Sequence, residues 1–238
     1  AQKPPENDWT TWLFLGGRGA GKTRAGAEWL NSRAVKGARL ALVGPTLHDV
    51  REVMIEGPSG IKSQYPPSER PKWHASRRRL EFHNGAVAQA FSAEDPDALR
   101  GPQFHAAWAD EFCAWRTPEK TLSNLRFGLR LGDDPRLMVT TTPRPMAALR
   151  RLLAQPGVAT DRGATSKNAA HLSPGFLEHL NALYGGTSMA AQEMEGLIVE
   201  TDGALFTAAD LARAKGARPA ELDRNVVAVD PPAGSHGD

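Results

Sequence analysis

The 238-residue chain has a single cysteine, Cys113. One thiol cannot form an internal disulfide framework, which excludes the small disulfide-stapled secreted folds and makes a reducing, intracellular setting the default. Long hydrophobic runs are missing too. Stretches such as Trp12 to Leu15 fall far short of the roughly 20 apolar residues that span a bilayer. No basic-then-apolar signal peptide opens the chain, and there is neither an internal repeat nor a low-complexity tract. Excess charge is also lacking: 29 Lys and Arg against 27 Asp and Glu leave +2. Bulk charge therefore does not announce a polyanion binder, although the first hundred residues are the more basic part. With 40% hydrophobic and 24% charged residues, the composition is that of a globular chain rather than a disordered one. The length suits one large domain, or one domain and a piece of another.

What is present is an alternation of short apolar runs and helical patterns. Trp12 to Leu15 reads as a buried strand, Gly16 to Gly21 as a glycine-rich turn, Lys22 to Val35 as a helix and Arg39 to Val43 as a second strand. Strand, helix and strand with short joints form a βαβ unit, which implies a mostly parallel α/β sheet. Thr46 to Glu56 looks helical, and 57–76 reads as a loop. Arg79 to His83 and Ala86 to Phe91 flank Asn84-Gly85, a hairpin signal in which both turn positions adopt positive φ. Further strands are expected at His105 to Ala109 and Arg136 to Thr140, with a helix at Pro118 to Leu131. Beyond Pro143 the pattern turns helical, at Pro145 to Ala154, Pro174 to Tyr184 and Thr187 to Gly196. Val226 to Val229, ending at Asp230, reads as the opening strand of a second, truncated domain.

The run Gly16-Gly17-Arg18-Gly19-Ala20-Gly21-Lys22-Thr23 satisfies G-x-x-x-x-G-K-[ST] between a strand and a helix. Its glycines let backbone N–H groups curl around phosphate oxygens at a helix N-terminus. Lys22 is placed for the β- and γ-phosphates, and the Thr23 hydroxyl for Mg²⁺. Asp110 and Glu111 close an apolar strand. An aspartate there suits Mg²⁺, and the following glutamate suits a general base acting on water. Glu111 favours hydrolysis over phosphoryl transfer to a small acceptor. Thr140, Thr141 and Thr142 end the next strand, where a hydroxyl can touch the γ-phosphate or the attacking water. Arg100, on a glycine-ended loop ten residues before Asp110, suits an arginine finger. Arg18 must lie near the nucleotide or an adjoining loop. Arg70, Lys72, Trp73, His74, Arg77, Arg78 and Arg79 form a basic and aromatic cluster, either a grip on phosphate backbone or a charged loop before the hairpin. Cys113 reads as a small core hydrophobe.

Taken together, these motifs resemble the large terminase subunit of tailed bacteriophages, most of all the branch found in gene transfer agents. The likeness lies in Trp12 to Trp29, Leu40 to Gly44, Arg77 to Val87, Phe91 to Glu111 and Arg136 to Arg144. It implies an ATPase that uses ATP and Mg²⁺ to drive double-stranded DNA into a procapsid. On that resemblance Arg18 takes the characteristic place in the phosphate loop, and Asp110 and Glu111 are the metal aspartate and catalytic glutamate. Thr140 to Thr142 are then the coupling motif, and Arg100 is a finger reaching a neighbouring subunit. Gln2, ahead of Pro4 and Pro5, matches the adenine-reading glutamine. The implied partners are double-stranded DNA, a portal protein, a small terminase subunit and copies of the chain itself in a ring, expected as a pentamer. No membrane is implied, and the place of action is the bacterial host's cytoplasm.

The resemblance also divides the chain into a P-loop ATPase core over 1–145, a lid subdomain with its closing segment over 146–206 and a linker over 207–224. An RNase H-like nuclease then begins at 225–238, with Asp230 as its first carboxylate for a divalent metal. Most of that nuclease is missing here, so the chain alone is not expected to cut DNA. A P-loop kinase and a non-catalytic DNA-binding fragment stand as the alternatives.

Overall fold

The computed structural model describes residues 3–6, 8–173, 175–185, 187–198 and 213. The chain divides into two units, 1–202 and 203–238, and every element below lies in the first. Gln2, most of the closing segment, the linker and the strand ending at Asp230 lie outside the described residues.

Eight strands form one sheet: β1 (Thr11–Gly16), β2 (Arg39–Gly44), β3 (Lys72–His74), β4 (Arg79–Glu81), β5 (Val87–Ser92), β6 (Ala106–Asp110), β7 (Arg136–Thr141) and β8 (Val158–Gly163). Their spatial order is β3-β4-β5-β2-β6-β7-β1-β8. From β5 to β8 all neighbours are parallel, while β3 and β4 add an antiparallel margin. The central strands β1, β2, β6 and β7 are mostly apolar and are buried at every position but the first of β2 and β7, because helices cover both faces. Alternation sorts their side chains. Trp12, Phe14, Leu40, Leu42, Trp108 and Met138 pack on one face with Ala25, Trp29 and Leu30 of helix α1 (Lys22–Arg33). Leu13, Leu15, Ala41, Val43, Ala107, Leu137 and Val139 pack on the other with α3 (Pro118–Gly128) and α4 (Ala147–Leu153).

Three local expectations are corrected. The segment after β2 is helical, but only one turn is α-helix (α2, Leu47–Asp49), capped by Thr46 and Asp49; it continues as a π-helix over Val50–Ile55. The expected loop over 57–76 contains β3, which shows little alternation in three residues. The hairpin turn has three residues rather than two. Gly85 N donates to Phe82 O, Phe82 N donates to Ala86 O, and only Gly85 has positive φ. Asn84 keeps a negative φ and uses its side chain instead, donating to Ala34 O at 2.6 Å and accepting from Ala86 N. The result is a glycine bulge, not a primed two-residue turn.

The stretch from 146 was expected to be a helical lid. It begins with α4, but β8 then joins the main sheet beside β1. Helical structure resumes after Gly163 with a 3-10 segment (Thr165–His171), α5 (Phe176–Tyr184) and α6 (Ser188–Glu195). Cys113 is buried, as expected of a core residue, and burial pushes its thiol pKa up. Among the described residues no helix is long and apolar enough to cross a membrane.

One close approach fixes α1 on the sheet. A Cβ on Gly26 would stand 2.1 Å from Cε2 of the fully buried Trp108. Gly26→Ala at an exposed helical site would stabilise by about 1 kcal/mol. Here overpacking dominates, and the expected outcome is a loss of about 2 kcal/mol, read as a lower urea midpoint at unchanged slope.

Candidate functional site

The strand order decides which motifs meet. β7 lies between β6 and β1, so the ends of the three strands carry Asp110 and Glu111, then Thr140 to Thr142, then the glycine loop. Adjacent strands lie about 4.8 Å apart, which brings all three motifs within reach of one small ligand. Carboxyl ends of parallel strands are where such sheets bind ligands.

The loop curls through Gly19 (φ 76°) and Gly21 (φ 86°), left-handed conformations that cost an L side chain roughly 1–2 kcal/mol. Curling turns amides inward and carbonyls outward, and the outward carbonyls need donors. Thr165 Oγ1 donates to Arg18 O at 2.7 Å, and Asn168 Nδ2 donates to Gly19 O at 2.7 Å. Gly17 N donates to Gly163 O. Thr165 and Asn168 were not singled out in the sequence, because no spacing ties them to a loop about 147 residues away. The first turn of α1 has no side-chain cap, so its amides and partial positive charge face the cavity. Thr23 lines that cavity.

Lys22 is buried. Its Nζ donates to Gly16 O and Gly17 O at 3.2 Å and to Thr142 Oγ1 at 2.8 Å, and lies 3.4 Å from Glu111 Oε1. Glu111 has φ 49°, one of two described non-glycine residues at positive φ. Strict alternation would turn it away from Asp110. The left-handed step swings it back, so Oε1 meets Lys22 and Oε2 accepts from Thr142 N at 3.2 Å. Strained backbone of this kind is concentrated at functional sites.

Asp110 is almost fully buried and accepts a 2.5 Å hydrogen bond from Thr140 Oγ1. Burial, and then the negative charge of Glu111, push its carboxyl pKa up to about 7, against the Thr140 hydrogen bond and the positive charge of Lys22. The three threonines do not act alike. Thr140 and Thr141 are completely buried, with hydroxyls engaged by Asp110 and by Cys113 N respectively. Thr142 is the one beside Lys22.

Arg18 points to the helical segment after β8. Its N donates to Glu193 O at 2.5 Å, and its Nε lies 3.4 Å from Glu193 Oε2. The end of α6 rests on the loop so closely that a Cβ on Gly17 would stand 2.6 Å from Glu193 O and Met194 O. Arg100 is not drawn into this cluster. It is exposed and pairs with Asp97 at 3.7 Å.

Gly19 to Arg24 line a cavity of about 670 Å³ with Glu52, Val53, Gly57, Asn168, His171 and Leu172. A cavity of about 750 Å³ between α3 and α4 is larger, but phosphate-loop residues do not line it. We place the site in the former, where the N-terminus of α1 and the buried Lys22 meet, and Lys22 in turn contacts Glu111. Among the described residues no three His, Cys, Asp or Glu side chains are placed to hold a metal by themselves. The donors expected from the sequence are one hydroxyl, Thr23, and one carboxylate, Asp110. That set fits Mg²⁺, which keeps several waters and takes phosphate oxygens as further ligands.

A family model described as "Terminase large subunit, T4likevirus-type, N-terminal" matches residues 13–213. Among curated proteins no sequence matches the chain. Solved structures with the same fold include the large terminase of the thermophilic bacteriophage D6E in complex with ADP, at 16% identity and TM-score 0.65 over 79% of this chain and 48% of that one. The Thermus phage P74-26 large terminase ATPase domain matches at 16% and 0.58, over 82% and 94%. The HK97 bacteriophage large terminase matches at 15% and 0.60, over 79% and 46%. The chain spans about half the length of the D6E and HK97 proteins.

Two separate roles are expected from the sequence: Lys22 offsets phosphate charge in the ground state, and Glu111 acts on water in the transition state. Lys22→Ala is expected to weaken nucleoside triphosphate binding at least about 100-fold, while Glu111→Gln binds within about threefold of native and hydrolyses at least about 100-fold more slowly. Nucleotide titration and phosphate release on both variants check this. Equal loss of binding in the two would make Glu111 structural.

Proposed function

The chain belongs to the family of phage large terminase subunits, and from that premise we propose that it is the ATP-hydrolysing motor of a machine that packages double-stranded DNA into a procapsid. The observation that carries the reading is the convergence of Lys22, Asp110, Glu111 and Thr142 at three adjacent strand ends. A glutamate that contacts both the lysine and the adjoining threonine strand is placed to polarise a water and to register phosphate loss. In this reading ATP lies along Gly16 to Thr23, and Thr23 and Asp110 hold Mg²⁺, which when bound spreads the developing negative charge. Arg18 links the loop to a lid formed by the helices after β8, and its pairing with Glu193 supports that role. The host cytoplasm, a portal, a small subunit and a gene-transfer-agent origin follow from the resemblance of the sequence.

Arg100 acts in a neighbouring subunit of a ring, expected as a pentamer. Its exposure, and its pairing with Asp97 outside the Lys22 cluster, support this reading. Arg100→Ala should bind ATP normally and hydrolyse it poorly. Mixing it with Lys22→Ala at assembling concentrations should restore activity, because one variant brings an intact finger and the other an intact pocket. A mixture that co-assembles and stays inactive would place Arg100 within its own subunit or outside catalysis.

Duplex DNA lies along the turn between β3 and β4. Arg77 and Arg78 are exposed there and have no ion pair among the described residues, whereas His74 and Arg79 share Glu81. Arg78, with φ 49°, is the second strained non-glycine residue. Ala90 N donates to Arg78 O, which sets the turn at the carboxyl end of β5, on the same sheet edge as the phosphate loop. The chain's ATPase is expected to rise with duplex DNA. Arg77→Ala with Arg78→Ala should lower duplex affinity and flatten its log–log salt slope by about 2, close to one per lost phosphate contact. An unchanged slope would remove this turn from the DNA surface.

A further inference from the structure

Asp110 does not reach its position unaided. An indole N–H donates and cannot accept. Trp108 Nε1 donates to Thr140 Oγ1 at 2.8 Å, so the hydroxyl turns its own proton elsewhere. It has two acceptors in reach, Asp110 Oδ1 at 2.5 Å and Ala109 O at 3.4 Å, and the nearer is the carboxylate. Two residues apart on β6, Trp108 and Asp110 share a sheet face, and Asp110 pairs with Thr140 in register on β7. All three residues are buried, and a chain of hydrogen bonds in such a place polarises along its length. The ring atoms around that N–H also bear on Gly26 of α1, the helix that begins in the phosphate loop.

We propose that Trp108 is a positioning residue: acting through Thr140, it orients the Asp110 carboxylate and ties that orientation to the seating of helix α1. The proposal rests on the reading of Asp110 as a Mg²⁺ holder. The contacts of Trp108 are with Thr140 and the α1 backbone, and its effect reaches the cation only through Asp110. Thr140 fixes one oxygen of Asp110 and thereby restrains rotation of the carboxylate. Outer-shell partners of this kind alter metal affinity by about 10–100-fold when removed.

The test compares nucleotide binding with and without Mg²⁺, followed by fluorescence of a labelled ATP analogue, alongside unfolding temperature. Trp108→Phe keeps an aromatic ring and removes the N–H. Thr140→Val keeps the volume and removes the hydroxyl, and Thr140→Ser restores it. Both removals should leave affinity in EDTA within about twofold of native and raise the half-saturating Mg²⁺ concentration about tenfold. The double variant should go no further than Thr140→Val, because the two groups act in one chain, and Thr140→Ser should behave as native. Equal weakening with and without Mg²⁺ would make Trp108 a packing residue and overturn the proposal. So would a Thr140→Val shift that Trp108→Phe does not share. Asp110→Asn separates the underlying reading: if it leaves the Mg²⁺ dependence unchanged, Asp110 does not hold the cation and the reading itself fails.

Discussion

A lysine ammonium taken out of water must be surrounded by oxygen, and the site is organised around that requirement at Lys22. Four acceptors close on it: two carbonyls of the phosphate loop, the Thr142 hydroxyl and the Glu111 carboxylate. Each comes from a different constraint. The carbonyls exist because Gly19 and Gly21 adopt left-handed backbone, and Thr142 is there because β7 lies next to β1. Glu111 reaches Lys22 only because its own backbone leaves the strand in a left-handed step. Without the strand order β6-β7-β1, Thr142 and Glu111 would not meet the lysine of the loop.

The sheet also divides labour between its faces. Asp110 and Thr140 lie on the face covered by α1, so the buried carboxylate and the phosphate loop's own helix pack in the same layer. The opposite face, under α3 and α4, is apolar packing with the Arg126 and Arg151 cations at its rim. Carbonyl donors for the loop come from a third place, the 3-10 segment after β8, where Thr165 and Asn168 hold Arg18 and Gly19. Adding β8 to the sheet next to β1 is what delivers that segment to the loop.

Much of this was legible in the sequence where the signal was local. The glycine loop, the apolar runs ending at Gly16, Val43, Asp110 and Thr140, and the helix at Lys22 are period and turn signals that survive tertiary context. β8 was not legible, because Val158 to Gly163 is an edge strand with exposed, polar alternate positions and no apolar run. The turn at Asn84-Gly85 was legible but its type was not, because a tertiary hydrogen bond to Ala34 O engages the asparagine that would otherwise populate a positive φ. Thr165, Asn168 and Glu193 act on the loop from far along the chain, so no motif spacing marks them. The separate duties of Thr140, Thr141 and Thr142 required the register with β6, which a run of three identical residues conceals.

Charge balance gives the remaining step. Asp110 and Glu111 are adjacent carboxylates with Lys22 beside them, and burial, then the charge of Glu111, raises the pKa of Asp110. A triphosphate brings further negative charge into the same region, and the helix dipole supplies only about half a positive charge against it. The arrangement is therefore electrostatically incomplete without a divalent cation accompanying the nucleotide. In the proposed reading Thr23 and Asp110 hold that cation, whose charge favours Asp110 in its ionised form. A site built this way discriminates against bare nucleotide by repulsion as much as it selects the metal complex by contact. The buried Asp110 and the half-exposed Glu111 that make the pocket costly on its own favour a nucleotide that arrives with its cation.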